Sequence, residues 1–175
     1  MQARSFAVEL YLMRHGIAHD LGADGSRSDA ERALTDEGRA NTLAAARAMA
    51  RLGLDFDAIW TSPFARARQT ADIVAEALKK TPVTREAPEL ALGAGTERLI
   101  GALTRLERGA SALLVGHEPD LSRLVAFLVW GSLSADRIAF KKGGLCHVNC
   151  QLALRPGYAS LRWLLTPKQL RLLAG

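Results

Sequence analysis

The sequence is poor in cysteine. Only Cys146 and Cys150 occur among its 175 residues. In a strand they would lie on one face about 13 Å apart, beyond the ~7 Å that a disulfide spans, so we expect two free, buried thiols. His147 lies between them and would point to the opposite face, which argues against a shared metal site.

The sequence also lacks a long apolar run. Its longest candidate, residues 124–130, is far shorter than the roughly 18 residues that a membrane span needs. The N-terminal stretch has a single cation, Arg4, and Glu9 interrupts its apolar residues, so it is predicted to be a short tail and a strand and not a secretory signal. We expect a cytoplasmic protein without a membrane partner.

No block of one charge sign is present. The chain has 23 Lys and Arg, 18 Asp and Glu, and a net charge of +5, and these residues are interspersed. A positive balance favours anionic partners, but there is no basic helix and no aromatic stacking platform for nucleic acid. Phosphate groups are therefore the more suitable partner class, and we expect no nucleic-acid binding.

Apolar runs and helical periodicity alternate along the chain. Strands are predicted over residues 8–13, 57–61 and 112–115, each followed by a polar turn and a helical pattern. This order predicts one α/β domain over residues 1–175, a three-layer sandwich whose central sheet is mainly parallel. The segment after Gly144 predicts two antiparallel strands joined at Pro156-Gly157, followed by a helix from Pro167.

Capping residues set the predicted helix starts. Thr35 is the expected N-cap of a helix over residues 36–52, and Ser62, with Pro63 as first helical residue, the expected N-cap of the next. A third helix is predicted over residues 96–106. The fourth is expected to end at Gly131.

Polar side chains follow three of the predicted strands. Arg14 and His15 follow the first strand, Arg66 lies just beyond the second, and His117 follows the third. The carboxyl ends of parallel strands form the ligand crevice of open α/β sheets, so these side chains should converge into an anion pocket. Arginine matches phosphate oxygens in bidentate fashion, and a neutral imidazole can attack phosphorus.

Four segments together resemble one known family. "LMRHGIA", "LTDEGR", "SPFARARQTA" and "LLVGHEPDL" are similar to motifs of the histidine phosphatase superfamily, the phosphoglycerate-mutase-like group, and within it to the small SixA-type phosphohistidine phosphatases. The resemblance runs from about residue 8 to residue 131 and extends to the C-terminal strands. An R-H-G tripeptide alone would be weak support, whereas four ordered motifs at strand-to-helix junctions are specific.

The resemblance implies roles for individual residues. His15 would be the nucleophile that becomes phosphorylated, Arg14 and Arg66 would clamp the phosphate, and His117 would bind and stabilise the transferring group. Gly16 would belong to the phosphate-binding set by letting the backbone pass close to His15. The family implies neither a cofactor nor a metal.

The proton donor of many family members has no clear match. Glu89 and Glu118 are the two candidates. Without a strong acid, a site should prefer phosphohistidine, whose imidazole leaves readily, over alkyl phosphates, whose alcohols leave badly. The connector between Thr70 and Gly116 is too short for the lid-forming insertions of larger relatives.

These features predict a phosphatase that acts on phosphohistidine in proteins, such as the histidine phosphotransfer domains of signal transduction. We expect the protein to be monomeric. Two alternatives stay open. The chain could hydrolyse small phosphoesters, or it could bind phosphorylated ligands without turning them over.

Overall fold

The computed structural model describes residues 7–78, 82–135, 138–151 and 154–175. The predicted N-terminal tail, the last two lysines of the predicted second helix, Thr81 and part of the segment that follows Cys150 lie outside the described residues. Across those ranges, no helix is both long and apolar enough to span a membrane.

Six strands form one mixed sheet. They are β1 (Val8–Arg14), β2 (Ala58–Thr61), β3 (Val83–Glu86), β4 (Ser111–Gly116), β5 (Leu145–Cys150) and β6 (Ala159–Leu165). The spatial order is β3-β2-β4-β1-β5-β6. The first four strands in this order are mutually parallel, and β5 pairs antiparallel with both β1 and β6. The predicted parallel sheet with C-terminal antiparallel strands is confirmed.

In the described ranges, five α-helices cover the two faces of the sheet. They are α1 (Asp36–Arg51), α2 (Ala65–Ala77), α3 (Thr96–Leu103), α4 (Asp120–Trp130) and α5 (Pro167–Ala174). One core cluster unites the sheet with α1, α2 and α5, and the other unites it with α3 and α4. Strands buried on both faces explain the continuous apolar runs of β1 and β4. The three-layer α/β fold predicted from the sequence is therefore confirmed.

The helix boundaries confirm some predicted caps and correct others. The Thr35 side chain accepts a hydrogen bond from the Gly38 N–H at the start of α1, and Gly131 ends α4 in the left-handed conformation, both as predicted. The prediction that Ser62 caps α2 is wrong, because Phe64 is the N-cap and the Ser62 hydroxyl serves other partners. The third helix ends at Leu103, three residues earlier than predicted.

The strand β3 was not predicted. All four of its residues are exposed, and it pairs only with β2 at the edge of the sheet. An exposed polar edge strand carries neither an apolar run nor an alternating pattern, so the segment resembles a loop in the sequence.

Cys146 and Cys150 are free and buried, as predicted. Burial raises the pKa of both thiols to about 12, which keeps them protonated. His147 lies on the opposite face of β5, also as predicted. There its ring stacks on Tyr11 and its Nε2 lies 2.6 Å from the Glu9 carboxylate.

Candidate active site

The carboxyl ends of three neighbouring strands lie side by side at one end of the sheet. β4 lies between β1 and β2, and the backbone continues the ladder past the strand ends. The His15 N–H donates to the Gly116 carbonyl (3.1 Å), and the Ser62 N–H donates to the Val115 carbonyl (2.9 Å). His15, Ser62 and His117 are therefore held in neighbouring positions at the crevice expected for an open α/β sheet.

A cleft of about 230 Å³ opens at this end of the sheet. Its lining residues are Arg14, His15, Asp29, Arg32, Arg66, Leu92, His117, Glu118 and Lys142. The structure thus brings together the four residues that the sequence placed at strand ends, and Glu118 with them. Asp29 and Arg32 were not singled out in the sequence.

His15 is held as a neutral imidazole with a defined tautomer. It is buried, and its Nδ1 lies 2.7 Å from the Gly16 carbonyl, so Nδ1 carries the proton and donates it there. Burial, supported by the charges of Arg66 and Arg14, lowers the pKa of His15 to about 3. At neutral pH Nε2 consequently carries a lone pair and no proton, as a nucleophile requires.

His117 presents the opposite nitrogen. Its Nε2 lies 2.8 Å from the Ser62 hydroxyl, and that hydroxyl oxygen already accepts a hydrogen bond from the Phe64 N–H. We assign the serine proton to the hydrogen bond with Nε2 of His117, which makes Nδ1–H a donor. Burial and the Arg66 charge lower the pKa of His117 to about 4, so this ring is neutral as well.

The two arginines are anchored differently. Arg14 donates from one terminal nitrogen to the Phe140 carbonyl (2.9 Å), and burial lowers the pKa of its guanidinium. Arg66 lies in the first turn of α2 and is almost fully buried. Its Nε–H donates to His15 Nε2 (3.2 Å), and its terminal nitrogens bind the carboxylate and the backbone carbonyl of Asp29.

Three buried side-chain atoms in the described part of the chain have no hydrogen-bond partner. They are Arg14 Nε, His117 Nδ1 and Glu118 Oε1. All three belong to residues that line the cleft. Buried polar groups are nearly always satisfied, so three unmatched groups at one place indicate a polar ligand, and two of the three are donors that suit anionic oxygens.

The two candidate acids lie in different surroundings. Glu118 is on the cleft wall, where burial raises the pKa of its carboxyl and Ser122 donates to Oε2. Glu89 lies outside the cleft in a 3₁₀ turn and binds Arg105 at 2.8 Å. Hydrogen bonding within that turn, together with Arg105, lowers the pKa of Glu89. Of the two candidates, the structure places Glu118 in the cleft lining and Glu89 outside it.

Gly16 contributes through packing and not through a free amide. Its N–H donates to the Thr70 hydroxyl (3.1 Å), which itself donates to the Arg66 carbonyl (2.7 Å). A Cβ on Gly16 would come within 2.8 Å of the Thr42 hydroxyl and 3.2 Å of the Gly38 carbonyl. The expectation that Gly16 belongs to the phosphate-binding set stays a prediction; in this structure its amide binds Thr70 and the residue lies outside the cleft lining.

A cleft that holds two arginines and a neutral, buried histidine at the strand ends of an α/β sheet suits an anionic phosphoryl group. The family model of the histidine phosphatase superfamily, branch 1, matches residues 10–94. An uncharacterized protein of Picosynechococcus sp. is 38% identical over 160 residues, which cover 89% of each chain. The chain belongs to the histidine phosphatase superfamily and is a phosphatase.

Within the superfamily, the chain is similar to SixA proteins in sequence and in structure. The phosphohistidine phosphatase SixA of Escherichia coli is 27% identical over 168 residues, which cover 94% of this chain and 98% of SixA. A structure of the protein histidine phosphatase SixA complexed with tungstate superposes with a TM-score of 0.80 at 25% identity, covering 93% and 99% of the two chains. The alpha-ribazole phosphatase of Shigella flexneri shares the fold, with a TM-score of 0.71 at 20% identity over 91% and 96% of the two chains.

Proposed function

We propose that this phosphatase hydrolyses phosphohistidine on proteins, such as histidine phosphotransfer domains, through a covalent intermediate on His15. The observation that carries the proposal is the neutral His15 beside two unmatched buried donors, Arg14 Nε and His117 Nδ1. These donors are available to the equatorial oxygens of a phosphoryl group while Nε2 approaches phosphorus. The similarity to SixA supports the substrate class.

In the first step the Nε2 lone pair of His15 forms a bond to phosphorus. The phosphorus–nitrogen bond of the substrate breaks, and its electron pair stays on the substrate imidazole. When the other nitrogen of that imidazole already carries a proton, the ring leaves as a neutral molecule and no acid is needed. Arg14, Arg66 and His117 stabilise the charge on the transferring group, which is the main contribution of a protein to phosphoryl transfer.

In the second step water attacks the phosphorus of phospho-His15. The bond between phosphorus and Nε2 breaks, and His15 returns to its neutral form with Nδ1–H still bound to the Gly16 carbonyl. One proton of the water stays on the phosphate and the other is released to solvent. Inorganic phosphate then leaves the cleft.

The size of the cleft supports a substrate carried by a larger molecule. A volume of about 230 Å³ holds a phosphoryl group and part of a ring, less than the roughly 300 Å³ at which pockets for whole small molecules begin. The remainder of the substrate would lie outside, next to the cationic Arg32 and Lys142 of the cleft lining. We propose a protein partner and a monomeric enzyme.

The first experiment measures phosphate release from a phosphorylated histidine phosphotransfer domain. We expect rapid release by the wild-type chain and at least a roughly thousandfold slower reaction by His15→Ala. His19→Ala is the matched control, because His19 lies four residues further along, outside the cleft lining, and this variant should behave like wild type. Acid-labile label on the wild-type chain would reveal the intermediate.

Equal rates for wild type and His15→Ala would exclude His15 as the nucleophile. Tight binding of inorganic phosphate without hydrolysis of any substrate would favour the phosphate-binding module instead.

Hydrolysis of small phosphoesters is the second candidate function. Glu118 favours it, because a partly buried carboxyl with a raised pKa on the cleft wall could protonate an alcohol leaving group. Faster turnover of small phosphoesters than of phosphohistidine would support this function.

A further inference from the structure

Every guanidinium nitrogen of Arg66 already donates a hydrogen bond within the protein, which leaves one further N–H on each terminal nitrogen. Its Nε–H donates to His15 Nε2, one terminal nitrogen donates to the Asp29 carboxylate (2.8 Å), and the other donates to the Asp29 backbone carbonyl. The arginine that would clamp phosphate is thus engaged at three of its five N–H groups, by one loop residue and the nucleophile. A phosphate that is to use these same N–H groups must replace Asp29 or the contact with His15.

The same arrangement covers the nucleophile. The Nε2 lone pair of His15 accepts the Arg66 Nε–H at 3.2 Å, and this lone pair is the one that would attack phosphorus. A lone pair that accepts a hydrogen bond is a weaker nucleophile until its donor moves. The contacts between Arg66 and Asp29 hold the guanidinium in this blocking position.

The Asp29 carboxylate resembles the ligand it would compete with. It bridges Arg66 and Arg32, at 2.8 Å and 2.7 Å, so an anionic group with two oxygens already joins two cations of the cleft. Although burial works to raise the pKa of Asp29, the hydrogen bonds from Arg66 and Arg32 outweigh it and lower that pKa. Its side chain is 42% exposed, so it can turn out toward solvent without unfolding the chain.

We propose that Asp29 is a latch on the phosphate site. Its carboxylate occupies Arg66 in the resting enzyme, and the phosphoryl group of the substrate must displace it before His15 can react. This inference rests on the proposed function, because it takes the cleft to be the phosphate site.

The test compares Asp29→Asn, Asp29→Ala and wild type. Inorganic phosphate is titrated calorimetrically, and the rate at which diethyl pyrocarbonate modifies His15 is followed by peptide mass spectrometry. Asp20→Asn is the matched control, because it removes an exposed carboxylate from the same loop at a position outside the cleft lining. Circular dichroism checks that each variant is folded.

A latch predicts that both Asp29 variants bind phosphate more tightly than wild type, by about 1.5-fold to fivefold for a partly exposed ion pair. His15 should be modified several-fold faster in both variants, and Asp20→Asn should match wild type in both measurements. Equal or weaker phosphate binding by the Asp29 variants, with unchanged modification of His15, would overturn the latch and show that Asp29 only positions Arg66. If wild type and all variants fail to bind phosphate and to release it from substrates, the proposed function itself is wrong and the latch with it.

Discussion

Two histidines share the cleft, yet their ring nitrogens have different neighbours. His15 donates from Nδ1 to the carbonyl of Gly16 and leaves Nε2 to act, whereas Ser62 engages Nε2 of His117 and leaves Nδ1 as the donor. One ring can therefore attack phosphorus and the other can bind an oxygen, although both are neutral. The hydrogen-bond partner of the opposite nitrogen decides which role each ring can take.

The carboxyl of Glu118 offers a test at a single residue. We expect Glu118→Gln to reduce the kcat for alkyl phosphates by about a hundredfold, because an alcohol needs a proton to leave. The kcat for phosphohistidine should change by less than about threefold, because a protonated imidazole leaves as a neutral ring. Steady-state rates on both substrates measure the difference.

Glu89→Gln is the control, since that carboxylate binds Arg105 outside the cleft and its loss should alter neither rate. Equal losses on both substrates in Glu118→Gln would show that Glu118 maintains the cleft and does not donate the proton.

At the scale of elements, the predictable parts are those whose pattern is local. Apolar runs, helical spacing and caps predict β1, β4, α1 and α4. The ends of β1 and β4 bring Arg14, His15 and His117 together. Asp29 lies in a polar loop and its partner Arg66 in a helix, 37 residues apart in the sequence, so no local pattern predicts their contact. Ser62 was assigned to a cap because its spacing fits one, whereas a tertiary contact with His117 uses its hydroxyl.

The first turn of α1 lies against the loop that follows His15. A Cβ on Gly38 would come within 2.0 Å of the Ile17 carbonyl oxygen, and that oxygen also accepts the N–H of Thr35. Backbone cannot yield as a side chain can, so we expect Gly38→Ala to lower the free energy of unfolding by roughly 2–4 kcal/mol. Urea unfolding followed by circular dichroism measures this.

Gly101→Ala is the matched control within a helix. A Cβ there meets nothing within 4 Å, so this variant should gain roughly 0.5–1 kcal/mol from its higher helix propensity. Similar effects of the two substitutions would contradict the close contact between α1 and the loop.

At the scale of the whole molecule, the site places cationic and titratable groups where the fold excludes water. Three of these groups are buried where the parallel strands end, namely His15, Arg66 and His117, and Arg14 is partly buried beside them. The Asp29 carboxylate offsets some of this charge in the absence of a ligand. The fold can hold both histidines in the cleft only as neutral rings, which ties the stability of the chain to pH.

This linkage gives a stability prediction with a definite sign. The folded-state pKa values of His15 and His117 are lowered from 6.5 to about 3 and about 4. As pH falls below 6.5, the unfolded chain binds protons at these rings that the folded chain does not, so the free energy of unfolding decreases with decreasing pH. One such ring contributes a slope of at most about 1.4 kcal/mol per pH unit.

In urea unfolding between about pH 6.5 and pH 4.5, we expect His15→Gln to have a smaller slope than wild type, and His15→Gln/His117→Gln a smaller one still. The carboxylates are common to all three proteins, so their titration largely cancels in the comparison. Identical slopes in the three proteins would mean that folding lowers the pKa of neither ring, and the burial of His15 and His117 as rings that resist protonation would then have to be abandoned.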